Sequence, residues 1–237
     1  MILAIETATP HCSVALVEGR IVLAETVLPK DKQASETFLS AASALFETRG
    51  VLPAALSCVA VSAGPGSFTG LRVGMAAAKG FCFGWNLPVV LVSTLEALAR
   101  RFPEEERILC PILDARKKEV YAAFFQWEDG VLKRLSPDLA VSPIMLSDRL
   151  REEERVVMFG SGLESYRAML RDRLGERAFF VEGPEGLPSA GMVGILGEQA
   201  FTAGAAVNPK TALPTYIRPS QAEIQASPSA ITPVNSF

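Results

Sequence analysis

Histidine is almost missing from this chain: His11 is the only one in 237 residues. A single histidine cannot build a paired-histidine metal site or the HExxH helix of a metalloprotease. A Ser-His-Asp triad would have to use His11 itself. No GxSxG elbow accompanies it, and Gly64-Pro65-Gly66-Ser67 only mimics one. His11 falls in a predicted turn, where a solvated side chain is the plain reading, so neither catalytic residues nor a metal site are expected. Cysteine is scarce too. Cys12, Cys58, Cys82 and Cys110 form no CxxC pair, and each sits in an apolar run. Free cysteine there behaves as a small hydrophobe, which points to reduced, buried thiols and a cytoplasmic setting. Basic excess is lacking: Lys plus Arg is 23 against 26 for Asp plus Glu, a net charge of −3. The densest basic stretch, Arg116-Lys117-Lys118, runs straight into Glu119. A chain that grips RNA alone carries a basic patch, so any RNA is expected to be held by another subunit. Long apolar runs are absent. Residues 70–98 come nearest to one and are interrupted by Arg72, Lys79 and Pro88, so no membrane span is expected. The opening MILAIETATP has no basic lead and predicts no signal peptide.

What is present is an ordinary globular composition, 49% hydrophobic and 21% charged, enough for one large domain or two small ones. Ile2–Glu6, Cys12–Glu18 and Ile21–Leu28 read as strands, the last two joined by a tight hairpin at Gly19-Arg20. Phe38, Leu39, Ala42, Leu45 and Phe46 repeat at helical spacing up to Gly50, a C-terminal glycine. Leu56–Ala63 and Pro88–Val92 are buried-type strands, and Ser93-Thr94-Leu95-Glu96 fits a capping box opening a helix to about Phe102. Pro103 beside Glu104-Glu105-Glu106 marks an internal boundary. Beyond it come strands at Ile108–Leu113, Glu119–Trp127, Val131–Leu135, Val156–Phe159 and Phe179–Val181. Helices are expected near 144–152, at 163–174 and over Gly191–Ala203. Both halves start with strands joined by short turns and then add helices and strands, a likeness of architecture without a close sequence repeat. The predicted division is 1–103, 104–218 and a loose polar tail over 219–237.

Gly64-Pro65-Gly66-Ser67-Phe68-Thr69-Gly70 breaks the pattern. A glycine loop before a helix can cradle phosphate, but this one lacks the Gly-Lys-Ser/Thr ending of a P-loop. The other reading is a tight strand-to-helix turn, and the helix that follows favours it. Gly70, Gly74, Ala77, Ala78 and Gly84 offer close-approach positions, and Ala76 and Gly80 lie four apart on one face. Each internal glycine costs roughly 0.5–1 kcal/mol relative to alanine, so close helix contact is expected as the compensation.

Three segments in order carry a family resemblance: Ala4-Ile5-Glu6-Thr7 with Cys12–Leu16, Gly64–Arg72 continuing through Ala78-Lys79-Gly80, and Leu113-Asp114-Ala115-Arg116 with Glu119-Val120-Tyr121. Together with Pro214–Arg218 they resemble the TsaB (YeaZ) family over nearly all of 1–218. The resemblance implies an α/β fold of two actin-like (ASKHA, ribonuclease H-like) subdomains, mixed sheets flanked by helices. It implies a scaffold without activity of its own, needed by a TsaD-type paralogue that transfers threonylcarbamoyl to the adenosine next to the tRNA anticodon. It also implies a TsaE-type ATPase in the complex, a homodimer when the partner is missing, and tRNA contacted only indirectly. The interface is expected on the helices at 35–49 and 70–84, with Phe38, Leu45, Leu71, Gly74, Met75, Ala78, Gly80 and Phe83 as its residues. Glu6, Thr7 and Ser13 resemble the first phosphate loop of the fold, and Gly160 and Gly162 its adenosine loop, both as vestiges. No cofactor of its own is expected, which leaves room for ATP or ADP at the subunit interface. Two departures stand out: Glu6 where the family has an aspartate that its relatives use near phosphates and magnesium, and Gln33-Ala34-Ser35-Glu36 where many members have a histidine before Ser-Glu. Asp114-Ala115-Arg116 reads as a charged hairpin or strand end, with Arg116 pairing internally. The competing readings are a small kinase of this fold, which needs an aspartate base and magnesium-ATP, and a glycoprotease-like hydrolase, which the single histidine argues against.

Overall fold

The computed structural model describes residues 1–28, 34–103, 105–150 and 154–218, and for 34–36 the backbone alone. Gln33 of the Gln33–Glu36 departure and the 219–237 tail lie outside the described residues, and Ala34–Glu36 begin the first helix. Strands β1 (Ile2–Glu6), β2 (Ser13–Glu18) and β3 (Ile21–Val27) are followed by α1 (Ala34–Arg49), β4 (Cys58–Gly64), α2 (Phe68–Trp85) and β5 (Val89–Ser93). They form a five-stranded sheet in the order β3-β2-β1-β4-β5. β1 is antiparallel to β2 and parallel to β4, with Ile5 opposite Val14 on one side and Val61 on the other. Every residue of β1 is buried because its two faces enter two different cores. Leu3 and Ile5 meet Phe38, Leu45, Met75 and Phe81 of α1 and α2, while Ile2 and Ala4 face the opposite layer. That is why the strand reads as an unbroken apolar run. Gly19 and Arg20 both take positive φ (58° and 64°), the twist that a two-residue hairpin requires.

Helix α3 (Thr94–Ala99) leads to β6 (Ile108–Asp114), β7 (Val120–Ala122), β8 (Phe125–Glu128), β9 (Val131–Arg134) and β10 (Leu139–Val141). Then come α4 (Pro143–Ser147), β11 (Val156–Phe159), α5 (Leu163–Leu174), β12 (Ala178–Val181) and α6 (Ala190–Thr202). The second sheet runs β10-β7-β6-β11-β12, with β8 on β6 and β9 on β8. Its order and directions repeat those of the first sheet: an antiparallel half leads into a parallel half through the central strand. One expected strand, Glu119–Trp127, splits into β7 and β8 because the chain changes partners midway. At the break, the Phe124 N–H donates to Ser136 Oγ at 3.0 Å. The helix expected at 144–152 is shorter, and strand β10 has no counterpart among the expected strands. Ser93 caps α3 as expected, accepting from the Glu96 N–H at 3.3 Å. Leu95 and Leu98 of α3 share one core with Leu109, Phe125, Val157 and Phe159, so this short helix wedges between the sheets.

The expected cut at 103 separates the sheets but not the layers. Helix α6 crosses back and covers the far face of the first sheet, where Ala190, Val193 and Leu196 pack on Ala4, Ala15, Ala60 and Val92. The chain after it stays there. Val207 pairs with Val89 on the edge of β5, Ala212 enters the first core, and the Thr215 N–H donates to the Ala63 carbonyl at 2.7 Å. The first lobe is thus residues 1–103 completed by 190–216. Among the described residues no helix is long and apolar enough to cross a membrane.

Candidate functional site

The lobes face each other across a cleft of about 680 Å³. Its first wall is Ala8, Thr9 and Pro10 together with the 65–69 loop; the second is the 113–117 hairpin with Ser161, Glu164 and Ser165. Thr215–Arg218 closes one end. Arg116, Lys117 and Lys118 form the hairpin tip with successive φ of 60°, 52° and 63°. Three left-handed residues in a row, none of them glycine, need local support. Asp114 provides it: its carboxylate accepts from the Arg116 N–H at 2.8 Å and pairs with the guanidinium at 3.5 Å. The charged-hairpin reading holds, and its acid is committed to its own turn. Across the cleft mouth, Arg218 pairs with Glu119.

The expected phosphate-loop residues do not line this cleft. Glu6, Thr7 and Ser13 are each no more than 1% exposed. The Ser13 hydroxyl accepts from the Ala190 N–H at the start of α6 (2.9 Å). Glu6 Oε1 accepts from the Ala8 N–H at 2.5 Å, while Oε2 is buried without a partner. Burial pushes the Glu6 carboxyl up to about 7; the Ala8 N–H and Ser62 hydroxyl oppose that rise and the Glu25 carboxylate adds to it. A sealed carboxyl whose neutral form is favoured by burial is a poor magnesium ligand. This is not the open carboxylate that the resemblance implies near phosphates and magnesium. Gly160 (φ 111°) and Gly162 are likewise structural. They pack against Ile112, whose carbonyl accepts from the Gly162 N–H at 3.0 Å, and Ser161 between them is the residue that faces the cleft.

The glycine-rich run is a packing device, the reading favoured from sequence. A Cβ on Gly66 would sit 2.5 Å from the Ala8 carbonyl oxygen, and one on Gly70 or Gly74 would overlap Thr7. Removing three side chains lets the start of α2 lie directly on the β1–β2 turn. Ser67 caps the helix, accepting from the Gly70 N–H at 3.2 Å.

Of the eight residues expected at an interface, six face their own core. Phe38, Leu45, Leu71, Met75 and Ala78 are no more than 5% exposed, and Gly74 is buried against Thr7. Apolarity marks burial, and here the burial is internal. The two that remain are Gly80, with open space where a Cβ would go, and Phe83, 56% exposed. They belong to one stripe of α2, Thr69-Arg72-Ala76-Gly80-Phe83, every member exposed and spaced by three or four residues. On α1, which packs against α2, Leu39, Ser43 and Ala44 are exposed as well. Small Ala76 and Gly80 beside exposed Phe83 make a largely apolar stretch of the kind that another helix can approach closely.

Two sheets of matching order around a cleft, each flanked by helices, place the chain in the actin-like, ribonuclease H-like class. A family model described as TsaD, tRNA N6-adenosine threonylcarbamoyltransferase, matches residues 22–155. The chain is 30% identical over 223 residues to the tRNA threonylcarbamoyladenosine biosynthesis protein TsaB of Bacillus subtilis, covering 94% of this chain and 96% of that one. It is 32% identical to the TsaB of Escherichia coli, covering 92% and 94%. The crystal structure of an uncharacterized Pseudomonas aeruginosa protein with similarity to peptidase YeaZ superposes with a TM-score of 0.79 at 27% identity, covering 92% of this chain and 99% of that one. The chain belongs to the TsaB family.

Proposed function

We propose that this chain is the scaffold subunit needed by a TsaD-type enzyme that transfers threonylcarbamoyl to N6 of the adenosine next to the anticodon of tRNA. Kinship with TsaB proteins supports the pathway. The observation that carries the scaffold role is the exposed, small-residue stripe of α2 together with a sealed Glu6. The chain keeps a surface for a partner while its phosphate-loop acid is closed off from the cleft. The TsaD-model match over 22–155 spans both helices, so a TsaD-type partner can meet this pair with a like pair. The same face serves a homodimer when that partner is missing. In this reading a TsaE-type ATPase joins the complex in the cytoplasm, tRNA is held by other subunits, and any ATP or ADP sits at a subunit interface rather than on this chain alone.

The reading is tested by reconstitution with the TsaD-type enzyme, the TsaE-type ATPase, the adenylate-making enzyme, ATP, threonine, bicarbonate and tRNA. Modification is expected only when this chain is added, and none from this chain alone; equal modification without it would overturn the scaffold role. Gly80→Leu is the matching surface variant. Nothing lies within 4 Å of the position of its Cβ, so the fold should survive, while a bulky side chain in the middle of the face should weaken partner association by about a hundredfold. Size-exclusion and calorimetric titration against the TsaD-type chain read this out.

A further inference from the structure

At its start the α2 face carries one charge, and that charge is held still. Arg72 is exposed, yet its Cζ lies 3.9 Å from the centroid of the Phe68 ring, and its Nε donates to the Tyr216 hydroxyl at 3.2 Å. The Tyr216 ring in turn packs on Phe68, with centroids 4.9 Å apart. Tyr216 is anchored by its neighbour Thr215, whose N–H is bonded to the Ala63 carbonyl at 2.7 Å. A residue 144 positions away in sequence thus orients an arginine on the outer face of a helix.

These contacts use one face of the guanidinium and its inner nitrogen. The outer nitrogens are left over, and among the described residues no carboxylate pairs with Arg72. An arginine stacked and bonded in this way has already lost its rotamer freedom, so little is left to lose when it meets a planar acceptor. We infer that Arg72 is the charged specificity contact of the α1–α2 face, offering its outer nitrogens to a carboxylate on the TsaD-type partner, with Tyr216 as its positioning residue. The inference rests on the docking role proposed for that face. A carboxylate on a helix is favoured over an RNA phosphate because the stripe beyond Arg72 is Ala76, Gly80 and Phe83. Those residues suit a protein helix, and Arg72 with the partly exposed Lys79 two turns on makes only a pair of cations, short of the basic patch that nucleic acid needs. Arginine fits the role better than lysine, because a planar fork can stack on Phe68 and still bond a carboxylate at two points.

The test is the affinity of the full chain for the TsaD-type partner, titrated at low and high salt. Arg72→Gln is expected to weaken association at least about tenfold and to flatten its salt dependence. Arg72→Lys should restore only part of the loss. Tyr216→Phe keeps the ring on Phe68 and removes only the hydroxyl; it should weaken binding by a smaller factor that disappears in the Arg72→Gln background, as a double-mutant cycle shows. A merely structural Tyr216 would give the same loss in both backgrounds. If Arg72→Gln binds like the parent while Gly80→Leu does not, the Arg72 assignment is overturned and the docking face stands. If both bind like the parent, the docking face itself falls. If partner affinity is unchanged but Arg72→Gln weakens tRNA binding by the assembled complex, the contact is to phosphate and the inference is wrong.

Discussion

Gly74→Leu is expected to unfold the first lobe, and even Gly74→Ala should be destabilised although it gains helix propensity. A Cβ at this position overlaps Thr7 Oγ1 and lies 3.1 Å from both Thr7 Cβ and Cγ2. Thr7 has no room to yield: it is 1% exposed on the β1–β2 turn, and its N–H is bonded to Ser62 Oγ at 3.2 Å. Alanine gains about 1 kcal/mol as a helix former, against about 1–3 kcal/mol for overpacking a filled site. The net for Gly74→Ala is a loss of up to about 2 kcal/mol, and for leucine, with three more carbons to place, at least about 3 kcal/mol. Urea unfolding measures both. The mechanism predicts its own rescue: Thr7→Ala deletes the hydroxyl and the methyl that collide, so Gly74→Ala should cost little in that background. Equal losses in the parent and in the Thr7→Ala background would sink the explanation. The contrast with Gly80 is informative, because two glycines six residues apart on one helix do unlike jobs. Gly74→Leu is expected to unfold the first lobe, and Gly80→Leu only to separate the chain from its partner.

That contrast also marks how far the sequence could be read. Local signals were legible wherever the cause was local. The Gly19-Arg20 hairpin, the Ser93 cap and the buried strand before Gly64 follow from residues within a few positions of each other. The Gly64–Gly70 run was legible as a packing turn because three glycines without a phosphate-binding lysine have few other uses. What stayed hidden depends on distant partners. The apolar face of α6 shows that it is buried but not on which sheet, so its return to the first lobe could not be foreseen. Phe38, Leu45 and Met75 are as apolar as interface residues, and nothing in their spacing distinguishes their own core from a partner's. Of the exposed stripe, Ala76, Gly80 and Phe83 were legible as close-approach or interface positions. Arg72 gave no sign, since its meaning depends on Tyr216 across the chain.

Glu6 is the residue whose role changes most between sequence and structure, and it predicts an unusual dependence of stability on pH. Its carboxyl titrates near 7 in the folded chain against an ordinary 4.5. Below pH 4.5 the group is protonated in both states and contributes no pH dependence. Between 4.5 and 7 the unfolded chain has released a proton that the folded chain still holds, so stability falls as pH rises. Above 7 both states are ionised and the penalty is constant. A shift of this size corresponds to about 3 kcal/mol at most. Glu6→Gln keeps an acceptor for the Ala8 N–H, whose bond to Oε1 is 2.5 Å, and removes the charge. It should therefore match the parent near pH 4.5 and be more stable than it by up to about 3 kcal/mol at about pH 8. Urea titrations at the two pH values decide this, and a Glu6→Gln effect of the same size at both would show that burial does not govern the group. The consequence reaches function. A carboxylate kept to bind magnesium would lie open to the cleft and ionise readily, and its replacement would cost activity rather than add stability. The neighbours of Glu6 point the same way: Thr7 lies under Gly74 of α2 and the Ser13 hydroxyl holds the first N–H of α6, so this segment packs the two helices against the first sheet.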